Sequence, residues 1–398
     1  MMFLEFFIWG AWFVTLGTFL GTNLKASGAE TAAVFSTQSW GAIIAPFIIG
    51  LIADRYFNAE RILGVLHLVG AFLMYQMYQS SDLSSFYIYV FSYMVLYMPT
   101  LALVNSVAFN QMKDPEKEFS SIRVWGTIGW IVAGLSISYV FHWDSNESLA
   151  NGMLKNTFLL AGAAALVLGL LSFTLPATPP KVSDEKIKIG DIIGLDALKL
   201  LKDKNFAVFF ISSILICIPL AFYYQNANPF LTESGLENPT GKMAIGQISE
   251  ALFLLLIPVF FSKYGFKKTI LVGMLAWAIR YALFAYGNGG ELSFMLIIGI
   301  ALHGICYDFF FVSGQIYTNS KAGDKYKSAA QGLITLATYG VGMLIGFAVA
   351  GWITDNYKTA TGTINWEMVW IIPAGIALAV FVLFALTFND KNKTEVSH

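Results

Sequence analysis

PATPPKVSDEKIKIGDIIGLDALKLLKDKN, residues 176–205, is the one long polar stretch in a chain of 398 residues. On either side of it the sequence is dominated by apolar runs of about 20 residues, the length a helix needs to cross a hydrocarbon core. Twelve such runs can be read: 3–22, 32–52, 62–79, 86–108, 122–141, 157–175, 206–226, 243–262, 269–287, 293–316, 328–353 and 366–388. Six precede the polar stretch and six follow it. The expected architecture is an all-α integral membrane protein with twelve transmembrane helices. It divides into a six-helix half at 1–175, a cytoplasmic linker at 176–205, and a second six-helix half at 206–398 that ends in a short cytoplasmic tail. Within the linker, Ile187 to Leu201 has the pattern of a short amphipathic helix lying at the membrane surface.

Composition points the same way. Hydrophobic residues make up 57% of the chain and charged residues 12%, where a soluble domain carries about 25% charged residues. Mean hydropathy is +0.64. The net charge of −1 gives no electrostatic reason for a nucleic-acid partner. The two cysteines, Cys217 and Cys306, both lie in apolar runs and read as small buried hydrophobes. The first run starts almost at Met1, with no basic leader or cleavage site, and reads as a retained helix. No phosphate-binding Walker loop, Ser/His/Asp set or HExxH motif occurs, so neither an ATP-driven pump nor an enzyme is expected, and no metal or cofactor.

Basic residues orient the bundle. Of the 24 Lys and Arg, Arg123 and Arg280 fall within runs. With the N-terminus placed inside, eighteen of the others lie on the cytoplasmic side; only Lys25, Lys155, Lys242 and Lys358 lie opposite. That asymmetry satisfies the positive-inside rule in one orientation and places both termini in the cytoplasm.

The halves also repeat. RYFNAERIL at Arg55–Leu63 aligns with KYGFKKTIL at Lys263–Leu271, an offset of 208, each joining the second helix of its half to the third. The first copy follows Gly50-Leu-Ile-Ala-Asp54-Arg55, which resembles the Gly-x-x-x-Asp-Arg signature of the major facilitator superfamily. There Asp54 and Arg55 would form a charge clamp at the cytoplasmic end of helix 2, although a solvated loop obeying positive-inside has the same composition. In the second copy Ser262 replaces the acid.

Ionisable groups at membrane depth are costly and usually face a cavity or a partner. Glu250 lies within helix 8, three residues after Gln247 on the same face, and Asp308 lies within helix 10. Both carboxyls suit substrate binding or proton coupling, against a purely structural hydrogen-bonding role. Arg123 opens helix 5 with Thr127 and Trp130 at i+4 and i+7; its position fits a snorkelling interfacial arginine equally well. Arg280 sits in helix 9, where a structural pairing is the better reading. Glu5 shares a face with Trp9 and Trp12 and could line the cavity, but reads better as a marker of the cytoplasmic interface. Helix 7 ends in aromatic and amide groups, Tyr223, Tyr224, Gln225 and Asn228, which suit either a hydroxyl-bearing ring or an interfacial belt. His303 shares a face with Tyr307 and neighbours Asp308; His67 and His142 have no such context. Pro99 should kink helix 4. Gly17 with Gly21 and Gly342 with Gly346 read as close helix contacts.

Several longer segments, among them WGAWFVTLGTFL, YMPTLALVNSVAF, IRVWGTIGW, QISEALFLLLIPVFFSKYGFKK, AWAIRYALFAYG and DFFFVSG, resemble the nucleoside:proton symporters, a branch of the major facilitator superfamily. The resemblance covers nearly the whole chain. It implies proton-driven nucleoside uptake across a bacterial inner membrane, by rocking of the two halves about one central site. It also implies a lipid-embedded protein, expected to be monomeric, with the proton as its coupling ion. The family's substrate site would fall on Arg123, Thr127, Trp130, Gln247, Glu250, Tyr307 and Asp308, with Glu250 or Asp308 carrying the proton. Trp130 and Tyr307 stand where phenylalanine is expected, and His303 where tyrosine is. In helix 7 the family's Gln and Asn align with Ala221 and Tyr224, leaving Gln225 or Asn228 as substitutes only in a shifted pose. A sugar:proton symporter would use the same residue chemistry. A non-transporting nucleoside sensor should carry a soluble output domain, and the chain ends about ten polar residues after helix 12.

Overall fold

The computed structural model describes residues 1–48, 57–180, 195–360 and 362–389. Among these the chain is helical throughout, with no strands and one isolated bridge, Lys358 to Ile364, in a connection. The rods are α1 Met2–Thr22, α2 Gly28–Ile48, α3 Ala59–Gln79, α4 Leu83–Gln111, α5 Pro115–Leu135, α6 Met153–Ser172, α7 Lys204–Glu233, α8 Pro239–Leu254, α9 Ile257–Tyr286, α10 Ser293–Gly323, α11 Ala329–Asn356 and α12 Trp366–Thr387.

Nine of them, among the described residues, are long and apolar enough to cross a membrane. The other three, α2, α5 and α8, sit where the sequence predicts spans at 32–52, 122–141 and 243–262. α2 and α5 carry polar groups that dilute their hydropathy, such as Thr37, Gln38 and Ser39 in α2 and Arg123 in α5, whereas α8, which holds Gln247 and Glu250, is only 16 residues long. Two junctions are tight. The rod from Ile257 to Tyr286 turns at Gly265 (φ 74°), and α10 ends at Gly323 (φ 62°). Both glycines hold a left-handed backbone that a side chain would strain.

Among the described residues three helices contain a π turn: Ser136–Val140 at the end of α5, Asp308–Val312 within α10, and Leu336–Gly342 within α11. Such wide turns are rare and recur at functional positions.

The chain packs as two compact units. One holds α1–α6 with 224–244; the other holds 195–223 and 245–389, so α7 is divided between them. In the first unit α1 lies against α5 and α6, and α4 against α2 and α3. Small residues let the backbones approach: a side chain at Gly129 would strike Phe3, and one at Gly10 would strike Trp130. Trp12 is fully buried and meets Tyr93 edge-on at 5.5 Å. Gly17 abuts Gln225 and Pro229, whereas Gly21 faces open space, so only the first of that glycine pair makes a close contact. Past α6 the chain is pinned back on α3: the Thr178 amide donates to Glu60 Oε2 (2.8 Å) and the Ala59 amide to the Thr178 carbonyl (3.0 Å).

In the second unit, Gly342 and Gly346 both abut α7, at Cys217 and Ala221. Tyr281 on α9 stacks on Trp370 of α12 at 5.3 Å. The described end of the polar stretch, Leu195–Lys202, is a 3₁₀ helix packed on α10. The amphipathic helix expected over 187–201 otherwise lies outside the described residues, as do Asp54, Arg55 and the tail from 390.

Candidate functional site

In the first unit, Arg123, Thr127 and Trp130 are half-buried on one face of α5. The Arg123 guanidinium lies 4.1 Å above the Phe6 ring of α1, a cation–π contact. Gly126 makes room for it, since a methyl there would meet both Arg123 and Phe6. Trp130 rests over Gly10 and meets Trp9 edge-on at 5.5 Å, which leaves its ring oriented by α1.

The same helix holds Glu5, and here the interfacial reading is corrected. Glu5 is fully buried, its Oε2 lies 2.8 Å from His67 Nε2, and its Oε1 accepts from the Thr100 hydroxyl at 2.6 Å. Tyr97 donates to the Glu5 carbonyl at 2.7 Å. His67, without context in the sequence, is thus the side-chain partner of Glu5 on α1. Hydropathy near a chain end cannot reveal partners 62 and 95 residues away.

The C-terminal end of α7 also packs in this unit. Tyr224 sits against Phe13 with ring centroids 6.0 Å apart. Gln225 is buried, and its Oε1 has no hydrogen-bond partner among the described residues. Asn228 is engaged at both ends of its amide: Thr18 donates to Oδ1 at 2.5 Å and Nδ2 donates to Thr240 at 3.0 Å. At the end of α5, Ser138 within the π turn donates to Asp144 Oδ2, which also caps the Thr240 amide of α8 at 3.1 Å.

In the second unit, α8 and α10 touch at Gly304, where any side chain would collide with the Ser249–Glu250 backbone. Ser249 reinforces the contact by donating to the Ala301 carbonyl. That approach brings Glu250 Oε2 to 3.9 Å from His303 Nε2. The other ring nitrogen, Nδ1, lies 2.9 Å from Arg280 Nη1. Arg280 is fully buried, with its guanidinium 3.7 Å from the centre of the Tyr223 ring, and His303 stacks on that ring at 5.2 Å. The pairing expected for Arg280 exists, but its partner is an imidazole. Gln247, one turn before Glu250, is half-buried.

Tyr307 follows one turn after His303 (rings 5.8 Å apart), and its hydroxyl meets that of Tyr339, which sits in the π turn of α11. Asp308 opens the π turn of α10, is 1% exposed, and has an Oδ2 with no hydrogen-bond partner among the described residues. A buried carboxyl oxygen left without a donor is a costly arrangement that asks for a ligand or a proton. Tyr339 had no signal in the sequence, since nothing in local spacing marks a wide turn. Among the described residues no cluster of three or more metal-type ligands occurs.

The geometry can be set beside known proteins. The chain is 42% identical to the putative nucleoside transporter YegT of Escherichia coli K12, over 98% of this chain and 93% of that one. It is 31% identical to the nucleoside permease NupG of the same organism, over 98% and 95%. The crystal structure of a NupG mutant superposes with a TM-score of 0.89 at 30% identity, covering 98% of each chain. The fold is therefore that of the major facilitator transporters, and the protein is a multi-pass membrane transporter, not an enzyme. The model of the nucleoside H+ symporters matches residues 1–393, and the chain belongs to that family.

Proposed function

We propose that this protein carries nucleosides into the bacterial cell together with protons, by alternating access across the inner membrane. The observation that bears most weight is Asp308, a buried carboxyl with an unpartnered oxygen at the head of a π turn, in a chain of the nucleoside H+ symporter family. On this reading Trp130 and Tyr307 stack on the base, and Arg123, Thr127, Gln247, Glu250 and Asp308 bond its edges and the ribose. Tyr224, Gln225 and His303 supply further contacts, while Asn228 ties α7 to Thr18 and Thr240. Asp308 carries the proton and Glu250 holds substrate. Asp54 and Arg55 clamp the cytoplasmic ends, both termini are cytoplasmic, and the halves 1–175 and 206–398, joined by the 176–205 linker, rock about the central site.

The test is uptake into proteoliposomes with an imposed pH gradient. Labelled nucleoside should accumulate, unlabelled nucleosides should compete, and free bases and sugars should not. Competition by sugars alone would reassign the protein as a sugar:proton symporter, and binding without accumulation would remove the transport reading.

A further inference from the structure

The contact between Arg280 and His303 fixes more than a distance. A guanidinium has five N–H donors, no acceptor, and stays charged in proteins. With Arg280 Nη1 at 2.9 Å, His303 Nδ1 can only accept, so it carries no proton. The ring proton then resides on Nε2, the nitrogen that faces Glu250 Oε2 across 3.9 Å. Arg280 is itself fully buried, with its guanidinium against the Tyr223 ring at 3.7 Å. Among the described residues no carboxylate lies within ion-pair distance of it, so its charge is not neutralised by an acid and its donor is directed at the imidazole.

We propose that Arg280 is a positioning residue which locks His303 in the Nε2–H tautomer, so that His303 presents a fixed hydrogen-bond donor beside the Glu250 carboxylate. This rests on the reading of Glu250 as a substrate-binding group and extends it. A gap of 3.9 Å is too long for a direct hydrogen bond but suits a shared hydroxyl that accepts from Nε2–H and donates to Oε2. The pair is thus a reader of hydroxyl groups: a methyl ether lacks the donor that Glu250 needs, and a deoxy position lacks both partners. The other titratable groups around the imidazole are Tyr223 from α7, Glu250 from α8, Tyr281 with Arg280 from α9, and Cys306 and Tyr307 from α10. A second proton on His303 would have to sit on Nδ1, against the guanidinium, so the ring stays a donor and does not serve as the coupling group.

The experiment is ¹⁵N NMR of histidine-labelled full-length protein in detergent or nanodiscs. The chain has four histidines, and His303→Gln identifies the signal in question. Wild type should show a protonated Nε2 and a bare Nδ1 for His303, unchanged from about pH 5 to 8. Arg280→Met removes the donor that pins Nδ1, so the Nδ1–H tautomer should appear in the spectrum beside the Nε2–H one. It should also raise the KM for nucleoside about tenfold, the scale of one hydrogen bond to a charged group. Arg280→Lys, which keeps a donor, should restore the tautomer and most of the affinity. A wild-type spectrum with protonated Nδ1 overturns the proposal outright, even if Arg280→Met does not fold. An Arg280→Met spectrum identical to wild type overturns it equally. Because the tautomer is read without transport, a failure of nucleoside uptake leaves this result standing and strikes only the functional reading.

Discussion

Removing Glu5 tests how charge is held in the first unit. Glu5 is wholly inaccessible, paired to His67 at 2.8 Å and hydrogen-bonded by Thr100 at 2.6 Å. Two limiting descriptions differ in size. If the contacts act as ordinary hydrogen bonds inside a membrane bundle, each is worth about 0.6 kcal/mol, so losing both costs about 1.2 kcal/mol. If they form a buried ion pair, stripping one partner costs about 3–5 kcal/mol, because the other is left uncompensated. The full burial of both side chains and the absence of water-exposed surface favour the larger figure. Glu5→Ala should therefore lower unfolding stability by about 3–5 kcal/mol. Glu5→Gln can still accept from Thr100 and donate to a neutral His67, and should cost under about 1.5 kcal/mol. The double change Glu5→Leu with His67→Leu removes both ends together and should recover to within about 1 kcal/mol of wild type. The assay is the midpoint of SDS-induced unfolding from dodecyl maltoside micelles, followed by tryptophan fluorescence. Equal losses near 1 kcal/mol for Glu5→Ala and for the double variant would refute the ion-pair description.

Other outcomes follow from the same structure. Trp130→Ala should raise the KM for nucleoside several-fold or more, since stacking on a base is worth about 1–3 kcal/mol, while Trp130→Phe should be mild; equal damage from both would make Trp130 a packing residue over Gly10. One of Glu250→Gln and Asp308→Asn should lose proton-driven accumulation yet keep exchange or binding, and the other should lose binding; two variants that both accumulate nucleoside and acidify the vesicle interior like wild type would take coupling away from these acids. Single cysteines at Ser145 and Asn288 should react with an impermeant reagent from outside only, the native Cys217 and Cys306 being buried; reaction from inside only would invert the topology.

The helices were legible because hydropathy over about 20 residues is a local property. The membrane-depth acids were legible for a related reason, that a charge in an apolar run is conspicuous. Partnership was not legible. Glu5 and His67 are 62 residues apart, and Arg280 and His303 are 23 apart on antiparallel neighbours, so no spacing rule connects them. Glu5 reads from the sequence as an interface marker and His67 as context-free, while for Arg280 a pairing is expected but its partner cannot be named. Gly21 shows the converse error, since a small residue at the right spacing from Gly17 need not have a helix opposite it. The hydrogen bonds that engage Asn228 cannot be read from helix 7, because Thr18 and Thr240 lie on α1 and α8.

The three wide turns have an evolutionary reading. Each π turn accommodates one residue more than an α-helical turn would, as though a single codon had been inserted and the helix had absorbed it locally. Elsewhere in a helix, deleting one residue rotates everything downstream by about 100° and turns a buried face outward. Within 308–312 or 336–342, the same deletion relaxes the bulge to regular helix and leaves the downstream face where it was. These are the places where the reading frame of a helix face can gain or lose a residue without refolding the bundle. They coincide with Asp308 and Tyr339, so the lineage could revise these two side chains by length as well as by substitution.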